Sequence, residues 1–178
     1  DQVIILVDVT TAFDQRAKDL FQDGVKGIVS SLSPGQYVRI QTIEDAVTAS
    51  QNLYEGCVPF CESGLLDFLL SECTEGLVRV ESRKQLSDIR TALQSRLLGA
   101  TSDLEYSDIL RTISAAVAHL RPEGHLDLFV FSDLIENSEF IPGKAFWSQS
   151  PDKTIDLLRQ SAQLPDLSDA TVRAFGVG

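Results

Sequence analysis

The chain has 178 residues, 43% hydrophobic and 23% charged, with a formal net charge of −11. That length suits one domain with a sizeable core. The acidic balance, with Lys26, Arg39, Arg83, Lys84 and Arg111 scattered among acids, argues against nucleic acid as a partner, and no apolar run nears the roughly 20 residues of a membrane-spanning helix.

The first run, VIILV at 3–7, is continuous, apolar and β-branched, as in a strand covered on both faces. Phe13, Ala17, Leu20, Phe21, Ile28 and Leu32 then recur at helical spacing until Ser33-Pro34-Gly35 breaks the pattern. Residues 37–43 alternate Val38, Ile40 and Thr42 with Arg39 and Gln41, which predicts a second strand, and 46–54 is its expected antiparallel partner. An irregular insert around 54–80 follows. Leu86, Ile89, Leu93 and Leu97 predict a second helix ending near Gly99, and Leu110, Ile113, Val117 and Leu120 a third, stopped by Pro122 and Gly124. A central strand is expected at 126–131, a short helix on Ile155, Leu158 and Ala162, and a last strand at 171–177. Alternating strands and helices predict an α/β, Rossmann-like doubly wound sheet, mostly parallel, with helices on both faces. One domain spans 1–178, without internal repeat or linker. Because the sequence opens at Asp1, on a strand and without methionine, it is expected to be part of a longer chain; a signal or anchor could precede it, so a cytoplasmic or a periplasmic location stays open.

The insert holds Cys57, Cys61 and Cys73, whereas His119 and His125 lie far along the chain, so a four-ligand zinc site is not expected. One disulfide with a leftover thiol and three free thiols both stay open. No thiol sits beside a histidine or an obvious helix start that would lower its pKa, so none is expected to be catalytic. Apolar insert residues, among them Tyr54, Val58 and Phe60, form either a small satellite core or, if exposed, a recognition patch. Phe140, Ile141, Phe146 and Trp147, in a loop after the central strand, are either interface anchors or packing residues.

In open α/β sheets the ligand crevice lies outside the carboxyl ends of the strands, where the strand order reverses. Two acids fall at such ends: Asp8 after the first strand and Asp133 after the central one. Neighbouring carboxylates repel unless a cation, a proton or hydrogen bonds compensate. Thr10, Thr11, Ser132 and Ser107 add hydroxyls nearby, and hard oxygens of this kind suit Mg²⁺ or Mn²⁺. Each residue has an alternative: Asp8 or Thr10 could cap the first helix and Ser107 the third.

Asp8-Val9-Thr10-Thr11-Ala12 after an apolar strand resembles the Asp-x-Ser/Thr-x-Ser motif that forms the metal-ion-dependent adhesion site of von Willebrand factor A domains. Phe131-Ser132-Asp133 is similar to the strand that ends in that family's second acid, and Ser107-Asp108-Ile109-Leu110-Arg111-Thr112-Ile113 to its third-loop stretch. The segment Ser132-Asp133-Leu134-Ile135-Glu136-Asn137-Ser138 resembles a bacterial branch that also carries a cysteine-bearing insert. The likeness covers nearly the whole chain. It implies a protein-recognition module, not an enzyme, with Mg²⁺ or Mn²⁺ held by Asp8, Thr10, Ser107 and Asp133, and with an acidic side chain of a partner protein completing the metal site. Ala12 stands where the family has its second first-loop hydroxyl, which implies weakened binding, and Thr101 or Ser102 competes with Ser107 as third-loop ligand. A metal-free scaffold is the alternative. An enzyme using Asp8 is a further one, but every cysteine precedes residue 74, and Thr10 replaces the second Asp a phosphotransferase needs.

Overall fold

The computed structural model describes residues 2–60, 75–99, 105–118, 124–139, 141, 148–160 and 164–176. The elements are β1 (Gln2–Asp8), α1 (Gln15–Ser31), β2 (Tyr37–Ile43), β3 (Asn52–Cys57), α2 (Glu75–Gly99), α3 (Ile109–Ala118), β4 (Leu126–Phe131), α4 (Pro151–Gln160) and β5 (Ala170–Phe175). The chain is therefore α/β, as the alternating patterns predict. Its sheet has five strands in the order β3-β2-β1-β4-β5. β1 pairs in parallel with β2 and β4, and β4 with β5, while β3 returns antiparallel along β2 at one edge.

β1 is buried along its full length, as its unbroken apolar run requires. Successive strand residues point to opposite faces, and the core divides accordingly. Val3, Ile5 and Val7 join a cluster with Phe21, Val25 and Ile28 of α1 and Ile89 and Leu93 of α2. Ile4 and Leu6 join a second cluster with Ile109, Ile113 and Ala116 of α3.

Several boundaries differ from those read off the sequence. α2 begins at Glu75, well before Leu86, because its early turns carry exposed Leu77 and Val80 and so show no apolar stripe. The antiparallel partner of β2 is Asn52–Cys57; residues 46–50 turn instead, with Ala49 N and Ser50 N donating to Ala46 O and Val47 O. Leu20 of α1 faces solvent, and Val25 takes its place in the core. In the insert, Val58 is buried while Phe60 is exposed. Cys57 is an exposed free thiol; Cys61, Cys73 and 65–69 lie outside the described residues, as do Phe140, Phe146 and Trp147, whereas Ile141 is buried.

An aromatic column fastens α1 to the carboxyl half of the sheet. Phe21 meets Phe13 and Phe131 edge to face, and Phe131 stacks on Phe175. Gly176 closes this column. Its φ of +98° is one that side chains rarely adopt, and a Cβ there would lie 2.8 Å from Phe21 Cζ and 3.1 Å from Ser132 O. Gly176→Ala is thus expected to destabilise the fold by about 2–4 kcal/mol, combining backbone strain with overpacking. Urea denaturation measures this; a loss below about 1 kcal/mol would contradict the packing.

Candidate metal centre at the strand ends

The strand order reverses between β1 and β4: from β1 the chain crosses outward to β2, and it later returns to the other side of β1 as β4. The crevice outside the carboxyl ends of these two strands is where ligands bind in such sheets. Asp8 is the last residue of β1, and Ser132-Asp133 follows β4 directly. A hollow of about 960 Å³ among Gln2, His125 and Asp169 lies at the opposite, amino end of the strands and touches neither acid.

Asp8 is fully buried. Its Oδ1 accepts the Thr10 amide at 2.9 Å and the Thr10 hydroxyl at 2.6 Å, and its Oδ2 accepts the Ser132 hydroxyl at 2.6 Å. Burial pushes its carboxyl above the ordinary range; the bonds from Ser132 and Thr10 pull the other way, and the charge of Asp133 adds a smaller push upward. Ser132 Oγ also accepts the Leu134 amide at 2.9 Å, and Asp133 Oδ1 accepts the Ile135 amide at 2.9 Å. These bonds hold a turn in which Leu134 takes φ +60°.

A third segment closes on this edge. Ser107 N donates to Asn137 O at 2.9 Å, and Asn137 N donates to Ser107 O at 3.2 Å. Asp108 N donates to Glu44 O at 3.1 Å, directly beyond Ile43, the β2 residue in register with Asp8. Ser107 is 6% exposed, and its Oγ is buried without a hydrogen-bond partner among the described residues. A buried hydroxyl left in that state costs free energy unless something else fills its coordination.

None of these residues caps a helix. Asp14 caps α1, accepting the Ala17 amide at 2.8 Å. At α3 the Glu136 carboxylate accepts the Ile109 and Leu110 amides, each at 3.0 Å. Asp108, also fully buried, is paired with Arg111 and accepts the Val47 amide at 3.3 Å. Of the four residues singled out from sequence, Asp8 and Thr10 are bonded together, Asp133 acts on Asp8 through its charge, and Ser107 sits in the neighbouring segment. Ser132, noted only as a nearby hydroxyl, is the direct partner of Asp8. Ala12 is exposed, while Thr101 and Ser102 lie outside the described residues.

Hydrogen bonds join Asp8, Thr10 and Ser132, and carboxylate and hydroxyl oxygens of this kind are the ligand type that Mg²⁺ or Mn²⁺ takes. Among the described residues no group of three His, Cys, Asp or Glu side chains converges, so hydroxyls and water would have to supply much of the coordination.

Glu136 had no marker in the sequence, since a lone Glu in a loop carries no periodicity. Burial lifts its carboxyl above the ordinary 4.5, outweighing bonds from Ser138, Leu110 and Ile109. The folded state therefore binds this proton more tightly than the unfolded chain. That contribution to stability is present below about pH 4.5 and is lost as pH rises through the folded value. Wild type should lose stability relative to Glu136→Gln between about pH 4 and about pH 7. Urea midpoints at both pH values test this; a difference that does not change with pH would refute it.

Among the described residues no helix is long and apolar enough to cross a membrane. No family model matches the chain, and no curated protein matches it.

Proposed function

We propose that this chain is a von Willebrand factor A-like recognition domain, doubly wound with helices on both faces, that binds a protein partner through Mg²⁺ or Mn²⁺ at the switch-point crevice. Asp8, Thr10 and Ser107 hold the ion, Asp133 binds it directly or through water, and a partner carboxylate takes an open position. The observation that supports this reading is the buried Ser107 hydroxyl, without a hydrogen-bond partner among the described residues; the Ser107 backbone pairs with Asn137, and its neighbour Asp108 donates to Glu44 O just beyond β2. The two core clusters on alternate residues of β1 support helices on both faces. Exposed Tyr106, Leu134 and Ile135 flank Ser107 and Asp133 and give a partner protein apolar surface beside the ion.

The test is thermal melting with increasing Mn²⁺ or Mg²⁺. An ion bound only by the native state adds RT ln(1 + [L]/Kd), about 2.7 kcal/mol at a hundredfold excess over Kd. Ser107→Ala should shrink that response while leaving the metal-free protein as stable as wild type or more so. A second reading, the metal-free scaffold, is favoured by Ala12 and by the three hydrogen bonds that already satisfy Asp8. A melting temperature unmoved by millimolar ion would establish it instead.

A further inference from the structure

The segment 132–138 does more than carry Asp133. Its second half is joined to the start of α3 by five hydrogen bonds. Glu136 accepts the Ile109 and Leu110 amides, Asn137 exchanges two backbone bonds with Ser107, and Asn137 Nδ2 donates to Glu105 O. Glu136 is 5% exposed, and Ser138 bonds to it in turn. The segment's first half is joined to Asp8 through Ser132. One stretch of seven residues, 132–138, thus ties the β1 carboxylate to the backbone that presents Ser107.

We propose that Glu136 and Asn137 are positioning residues that clamp Ser107 against the metal centre; this rests on the metal-binding reading above. Three observations carry it. Ser107 has no side-chain bond of its own to fix its place, so its position comes from its backbone partner, Asn137. The first amides of α3 need an acceptor, and Glu136 supplies it from the loop that carries Asp133, so two hydrogen bonds join the helix start to that loop. Glu136 Oε2 accepts both of those amides, so its carboxylate is engaged with the helix start.

The effect should appear in ion affinity and not merely in stability. Groups that orient metal ligands typically change affinity about 10- to 100-fold when removed. Mn²⁺ is titrated by calorimetry into wild type, Glu136→Ala, Glu136→Gln and Ser107→Ala, and into the double variant Glu136→Ala with Ser107→Ala. Measurements are made at a temperature where melting curves show each variant folded. Glu136→Ala should weaken Mn²⁺ at least about tenfold. Glu136→Gln keeps a side-chain oxygen for the two amides and should restore most of the affinity. In the Ser107→Ala background Glu136→Ala should change affinity little, since the residue acts through Ser107. If wild type binds Mn²⁺ and Glu136→Ala binds it equally well, or weakens it equally with and without Ser107, the clamp is wrong while the metal site stands. If wild type takes up no Mn²⁺, the metal reading falls and the clamp with it.

Discussion

Asp8→Asn is expected to abolish the Mn²⁺-induced rise in melting temperature while leaving the metal-free protein at least as stable as wild type. The amide is nearly the same shape as the carboxylate. Its oxygen can still accept from Thr10, and its nitrogen can donate to the lone pair of Ser132 Oγ that the Leu134 amide leaves free, while the Ser132 proton gives up Asp8 as its acceptor. The substitution also removes a charge that burial penalises and that Asp133 repels. Both changes favour the metal-free fold at any pH above the one at which the buried carboxyl ionises. Asp8→Ala behaves differently. It leaves the Thr10 amide and two hydroxyls buried around a hole, at a cost of about 1–3 kcal/mol for each group that finds no other partner, so that a gain in metal-free stability is not expected. Differential scanning calorimetry with and without Mn²⁺ separates the two variants. An Asn variant that still responds to Mn²⁺ like wild type would remove Asp8 from the metal site.

Phe21→Ala is expected to cost about 3–5 kcal/mol of stability. Phe21 is fully buried, with its ring centroid 4.7 Å from that of Phe13 and 5.3 Å from that of Phe131. For a domain of this size the melting temperature should fall by roughly 6 to 20 °C. The residue also meets the Cβ that Gly176→Ala would add, so the two changes should not be additive. Removing the ring relieves the overpacking of Gly176→Ala but not its backbone strain. The double variant should therefore lose less than the sum of the single losses, and strict additivity in urea denaturation would rule out this contact.

The parts of the fold legible in the sequence were those with one dominant physical signal. Val3–Val7 of β1 and Leu128–Phe131 of β4 are continuous apolar runs and are buried, and Tyr37–Ile43 alternates as a strand should. β3 sits at the edge with mostly exposed or half-buried residues, so nothing in Asn52–Cys57 forces an apolar period, and the expected strand was placed too early. The start of α2 was hidden for the same reason, because exposed Leu77 and Val80 do not join a buried stripe. At the crevice, Asp8 and Thr10 were legible because strand ends can be read locally. The bond from Ser132 to Asp8 joins residues 124 positions apart, and only the pairing of β1 with β4 brings them together. Glu136 reaches the Ile109 and Leu110 amides across 27 and 26 residues of sequence, a pairing that only the fold creates.

The central position of β1 bears on how the chain is made as well as on what it binds. One edge of β1 can pair with β2 early in synthesis, but its other edge waits for β4, whose first residue, Leu126, pairs with Gln2. Contacts of such high sequence separation form slowly, since a long loop must close before they contribute. Until then β1 presents a flat, apolar, unpaired edge, the kind of surface that templates aggregation. The ribosome therefore releases most of the chain before the crevice exists. The strand that waits longest for its second partner is thus β1, the one that ends in the buried Asp8.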